Sequence, residues 1–176
     1  MAEPSESLPQ QPITENDAES LEAARFAITH FATWVTNADT KAGLLIAATT
    51  LLGGIAGGQR ARVLIALEAS TARNWISSLL FGGVVVALIV TAAFLVRALI
   101  PRIGPGEASR YGWPYVARSQ PTDLAVRTRH ADRCEAWATA VLLAGVARRK
   151  YEAIRRAVWF WLVAAITLTA WVALAP

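Results

Sequence analysis

Cysteine is nearly missing from this 176-residue chain: Cys134 stands alone, so no disulfide can form within it. Histidine is almost as scarce. His130 and Cys134 fall four apart on one predicted helix face, but two ligands do not make a zinc site, and no further cluster supports them. His30 has no nucleophile near it in sequence, and the glycines at 53, 54, 57 and 58 precede no Lys-Ser/Thr, which excludes a phosphate-binding loop of that type. No catalytic constellation is legible, so neither enzyme activity nor a bound metal is expected. Charge is short as well, at 17% of residues where soluble domains carry about 25%. It is absent altogether from three stretches, 42–58, 76–96 and 157–175. A helix rises about 1.5 Å per residue and a bilayer's hydrocarbon core is about 30 Å thick, so about 20 uncharged residues cross it. The second and third stretches meet that length, and the first is marginal. No charged residue sits in mid-span, which argues against a transporter. The acidic N-terminus lacks the basic region of a secretory signal, so no cleavage is expected.

The charges that are present lie asymmetrically. Residues 1–41 hold seven acids against Arg25 and Lys41, whereas residues 97–156 hold twelve Lys/Arg against five acids. Orientation follows the Lys/Arg bias near span ends. Placing 97–156 inside puts 14 Lys/Arg inside and three outside, with the N-terminus cytoplasmic and the C-terminus out. The basic surplus lies beside membrane and lacks the interleaved aromatics of a stacking platform, so nucleic acid is not an expected partner.

Read along the chain, the expectation is an all-α integral membrane protein with three transmembrane helices and helical cytosolic extensions. Residues 1–17 form an acidic, Pro-containing, disordered tail, and 18–41 an amphipathic cytosolic helix. Its stripe of Leu21, Ala24, Ile28, Phe31, Trp34 and Ala38 needs a partner, either the membrane surface or, preferably given Glu19 and Glu22, another cytosolic helix. Transmembrane helices are expected over 42–58, 75–97 and 157–175, joined by an external loop over 59–74 and a cytosolic loop over 98–121. A helix restarting near Thr122 and Asp123 should run as a basic cytosolic segment over 122–156 straight into the last span. Within the external loop the apolar run 63–67 is too short to span and should rest at the interface. Trp75, Trp159, Trp161 and Trp171 read as interfacial anchors. Small residues at Gly43, Ala47, Thr50, Gly54 and Gly58 line one face of span one. Such a face lets helices approach closely in lipid, either within the chain or between copies. Span two offers matching rows, Ser78-x-x-x-Gly82 and Gly83-x-x-x-Ala87-x-x-x-Thr91.

Two segments at span mouths could carry chemistry. In Asn37-Ala-Asp39-Thr-Lys41-Ala-Gly43, Asp39 and Lys41 are two apart and do not face each other on a helix. Either each reaches a different neighbour, or Lys41 snorkels to headgroup phosphates while Asp39 caps a helix start. In Arg148-Arg149-Lys150-Tyr151, followed by Arg155 and Arg156, five cations fall within nine residues. Such a cluster either binds anionic lipid and sets topology, or recognises an anionic ligand.

The two blocks, Asn37-Ala-Asp-Thr-Lys-Ala-Gly-Leu-Leu45 and Leu143-Ala-Gly-Val-Ala-Arg-Arg-Lys-Tyr151, resemble in order and placement the transmembrane effectors of Pycsar, the pyrimidine cyclase system for antiphage resistance. The resemblance covers about residues 20–175, with Asp39 and Lys41 matching the first element and Lys150 and Tyr151 the second. It implies a cyclase from a neighbouring gene that makes cyclic UMP or cyclic CMP during infection. It also implies an effector that responds by compromising the inner membrane and killing the cell. The chain departs from expectation in that no β-rich nucleotide-binding domain can be read in it: either it does not sense the nucleotide directly, or its site is built from helices. Combining the two lines, the nucleotide is expected among Lys41, Arg148, Arg149 and Lys150, where it would offset their repulsion, and several copies would pack through the small-residue faces. The competing reading is a membrane scaffold that recruits a soluble partner through the basic helix.

Overall fold

The structure, a computed structural model, describes residues 15–59, 61–64, 71–100, 111, 116, 119–120 and 128–174. The acidic tail before residue 15, most of the expected loop over 98–121 and the expected helix start at Thr122–Asp123 lie outside the described residues. Three long helices make up the fold: α1, Glu15–Gly58; α2, Ala72–Leu99; and α3, Arg129–Leu174. No strand occurs among the described residues. All three helices are long and apolar enough to cross a membrane, so this is an all-α, multi-pass membrane protein.

The helix ends follow from local chemistry. Thr71 is extended (φ −88°, ψ 150°), and its carbonyl accepts the amides of Asn74 and Trp75 at 3.0 and 3.2 Å. At the far end Arg97 stands in the last turn, where a cation complements the helix dipole. Ile100 is extended (φ −60°, ψ 117°), as a residue before proline must be, and Pro101 follows. Thr128 caps α3, its hydroxyl oxygen accepting the Ala131 amide at 3.2 Å. α1 begins three residues before the expected 18 and runs unbroken through Asp39. Asp39 therefore caps no helix start: the expected extension and the expected span are one element. α3 likewise passes Gly145 without a break. At 1.5 Å per residue α1 and α3 are roughly 65–70 Å long, more than twice the hydrocarbon thickness.

The chain forms two compact units, Met1–His30 with Gly104–Leu142, and Phe31–Ile103 with Leu143–Pro176. In the first, the start of α1 packs on the start of α3 through Ala24, Ala136 and Ala140, all buried. Helix therefore meets helix, as Glu19 and Glu22 beside the apolar stripe favour. The carboxylate of Asp132, 6% exposed, accepts Tyr111 Oη at 2.7 Å and Arg25 Nη2 at 3.3 Å. Trp137 Nε1 donates to Ser20 Oγ at 3.4 Å.

The second unit is a three-helix bundle with two apolar layers. One joins Ala38 and Ala42 of α1, Leu95 and Ala98 of α2, and Ala153, Ile154 and Ala157 of α3. The other joins Ala56, Val84, Leu168 and Trp171, with Leu52, Phe81 and Val63 packed on it. The residue order of the layers makes α1 and α3 parallel and α2 antiparallel. Alanine dominates because lipid supplies no hydrophobic drive between helices, and close backbone approach must supply the attraction instead. Large apolar side chains point outward, as Leu44, Leu79 and Ile166 do at 68%, 73% and 69% exposure. Such a surface suits hydrocarbon and not water. Three span hydroxyls are satisfied internally, Thr49, Thr91 and Thr169 donating to the carbonyls four residues back at 2.6–2.9 Å, whereas the buried Ser77 hydroxyl has no partner among the described residues.

Two sequence expectations change here. Trp171 is fully buried against Phe81, with ring centroids 5.2 Å apart, and so is a core residue and not an interfacial anchor; Trp75 and Trp159 do point outward. The row Gly43, Ala47, Thr50, Gly54 and Gly58 is exposed, and a Cβ added at Gly43 or Gly54 would meet nothing within 4 Å. Packing of that row against the other described helices is therefore overturned. On α2 the second row does face inward, with Ala87 and Thr91 buried and the Cβ position of Gly83 3.8 Å from Thr167 Cγ2.

Candidate functional site

The candidate site lies at the Ala38 end of the bundle. Ala38 and Ala42, one turn apart, are the buried contact row of α1. Asp39 and Lys41 sit about 200° apart around the helix and so flank that row on opposite sides. On α3 the contact residues Ala153, Ile154 and Ala157 follow one turn after Lys150, which turns Lys150 inward, with Tyr151 to one side.

The two flanks find different partners. The Lys150 ammonium, whose side chain is only 14% exposed, ion-pairs with the Asp39 carboxylate. A half-buried ammonium without a counter-charge would be costly, so Asp39 compensates it. The Lys41 ammonium instead lies over the Tyr151 ring, 5.2 Å from its centroid, a cation–π contact. Tyr151 also meets Trp34 edge-on at 5.7 Å between centroids. Residues of the two sequence blocks, over 100 positions apart, thus meet in two independent contacts.

Of the four expected ligand cations, Lys41 and Lys150 each contact the facing helix, on opposite flanks of the Ala38–Ala42 row. Arg148 Nε pairs with Glu152 Oε1 one turn along its own helix at 3.0 Å, on the exposed side of α3. Its hydrogen bond holds the Glu152 carboxyl below the usual carboxylate range. Arg149 is exposed and joins no ion pair among the described residues. Mutual repulsion among the cations is weaker than the sequence suggests, because Asp39 and Glu152 each neutralise one. Arg156 lies over the Phe94 ring, 5.9 Å from its centroid, and Phe94 stacks on Phe160. Gly43 and Gly54 face outward and take no part in the cluster. Sequence reasoning missed Trp34 as a site residue, treating it only as part of an apolar stripe. The available signal was its place seven residues, two turns, before Lys41 on the same face. Among the described residues no group of three or more His, Cys, Asp or Glu could hold a metal.

Residues 23–176 match the Pycsar effector protein domain, a span that takes in both blocks and all three helices. The chain belongs to the Pycsar effector family. No curated protein and no solved structure matches it. Membership makes it an antiphage-defence effector with a transmembrane domain, in a system linked to a cyclase. In this Pycsar effector an acid, two lysines and two aromatics, Asp39, Lys41, Lys150, Trp34 and Tyr151, meet at the Ala38 end of the bundle.

Proposed function

We propose that this Pycsar effector is switched on by a cyclic pyrimidine nucleotide, cyclic UMP or cyclic CMP, and then breaches the inner membrane so that the infected cell dies. The observation that carries the reading is the meeting of the two sequence blocks in the Asp39–Lys150 and Lys41–Tyr151 contacts, where all three helices pack. The Lys/Arg bias supports a mouth that faces the cytoplasm, the compartment of the nucleotide. The ligand's phosphodiester carries one negative charge. It is drawn by the field of Arg148 and Arg149, engages Lys41, and competes with Asp39 for Lys150. Such a ligand acts only through its differential affinity for the open state, and exchanging an internal carboxylate for an external anion provides one. Copies then associate through the outward row Gly43, Ala47, Thr50, Gly54 and Gly58, which is exposed among the described residues.

The test is cellular. With the effector expressed in bacteria, membrane potential is followed with a voltage-sensitive dye while a pyrimidine cyclase is induced. Depolarisation should need both proteins and should fail with Lys41→Gln. Depolarisation without the cyclase, or none with it in cells that hold membrane-inserted effector, contradicts the reading.

A further inference from the structure

We propose that Trp34 is the base-recognition residue of this site: a pyrimidine stacks on its exposed indole beside Tyr151, while the phosphodiester takes the Lys41 ammonium. The proposal deepens the functional reading above and rests on it.

Three observations carry it. First, Trp34 is 46% exposed beside a charged cluster, although its neighbours on the bundle side, Ala38 and Ala42, are fully buried. Second, Trp34 lies eight residues before the uncharged stretch that begins at Ala42. That places it about 12 Å along the helix from the hydrocarbon edge. The headgroup layer on each side is only about 5–8 Å deep, so an indole at this position stands beyond the belt where tryptophans anchor. Third, the two lysines differ in what they face. Lys150 is neutralised by a carboxylate, whereas Lys41 contacts an aromatic ring and forms no ion pair among the described residues. Of the two lysines, Lys41 is therefore the one with charge to offer an incoming anion, and it is linked to Trp34 through the shared Tyr151 ring. An aromatic face and a cation that both contact one tyrosine ring can recognise a nucleotide, since every base has a π-face and the phosphate is acidic. A lipid phosphodiester offers Lys41 the same charge but gives Trp34 no base to stack on.

The experiment measures binding of cyclic UMP and cyclic CMP by equilibrium dialysis to the full chain in nanodiscs. Wild type, Trp34→Leu, Trp34→Phe, Lys41→Gln and the outward-facing control Trp75→Leu are compared, in phosphatidylcholine alone and with added phosphatidylglycerol. Helix content by circular dichroism accompanies each variant. Trp34→Leu should weaken binding roughly tenfold to a hundredfold, Trp34→Phe by less than about threefold, and Trp75→Leu not at all. Lys41→Gln should weaken binding about tenfold or more, equally in both lipids. Wild-type affinity in Trp34→Leu, or equal losses in the Leu and Phe variants, overturns the stacking role and leaves the functional reading standing. A Lys41→Gln effect seen only with phosphatidylglycerol assigns Lys41 to lipid and overturns its role here. Failure of wild type to bind either nucleotide overturns the functional reading and this proposal with it.

Discussion

At the scale of single residues, the ion pair between Asp39 and Lys150 organises the mouth of the bundle. Removing one member leaves the other charge half-buried without a partner, so Asp39→Asn should destabilise the bundle by about 1–2 kcal/mol. If the pair itself is responsible, the exchange Asp39→Lys with Lys150→Asp should recover most of what either reversal loses. Thermal unfolding of all four proteins in one detergent closes that cycle; strictly additive losses would deny the pairing. A second residue-scale anchor is Asp132, buried and held by Tyr111 and Arg25. Tyr111→Phe deletes one hydrogen bond to a buried carboxylate and should cost about 1–3 kcal/mol. Burial raises the Tyr111 hydroxyl above the ordinary tyrosine value of 10.0. The unfolded chain then loses its proton first as pH climbs. The contribution of Tyr111 is complete below pH about 10 and declines as pH rises through the higher folded value. Unfolding measured between pH 8 and 11 should show that loss in wild type and a smaller one in Tyr111→Phe.

At the scale of elements, the spans were readable because lipid tolerates no unpaired charge, and three gaps in the charge pattern are hard to produce otherwise. The stop at Ile100 was readable from Pro101. Which face of each span turns inward was not, because every face is apolar and periodicity then carries no information. Trp171 looked like an anchor from its place near the chain end but is held in the core by Phe81. The small-residue row of α1 looked like a seam for α2 or α3, yet alanines 38, 42 and 56 fill that role. At the site, the blocks around Asp39 and Lys150 were legible as motifs, but their pairing and the addition of Trp34 depend on how α1 meets α3. Because a Cβ at Gly54 meets no packed neighbour within 4 Å among the described residues, Gly54→Leu should leave monomer stability unchanged or improved by up to about 1 kcal/mol. The same substitution should abolish cross-linked oligomers in membranes if this row joins copies. Oligomers persisting at wild-type level would assign the contact to another face.

At the scale of the whole molecule, 14 of 17 Lys/Arg fall in residues 1–41 and 97–156, and membrane orientation follows that bias. With Cys134 replaced by serine, a cysteine at Ser119 should resist impermeant maleimide in intact cells and react after lysis. On the proposed function, a cyclic pyrimidine nucleotide that arrives from the cytoplasmic side at the mouth cluster opens the membrane. Dye release from proteoliposomes of purified protein measures it most directly. Cyclic UMP or cyclic CMP should release trapped dye within minutes from vesicles whose Lys41 side faces the nucleotide. Lys41→Gln vesicles should stay sealed. Equal release with and without nucleotide, or none from wild-type protein whose helices are intact, would contradict it.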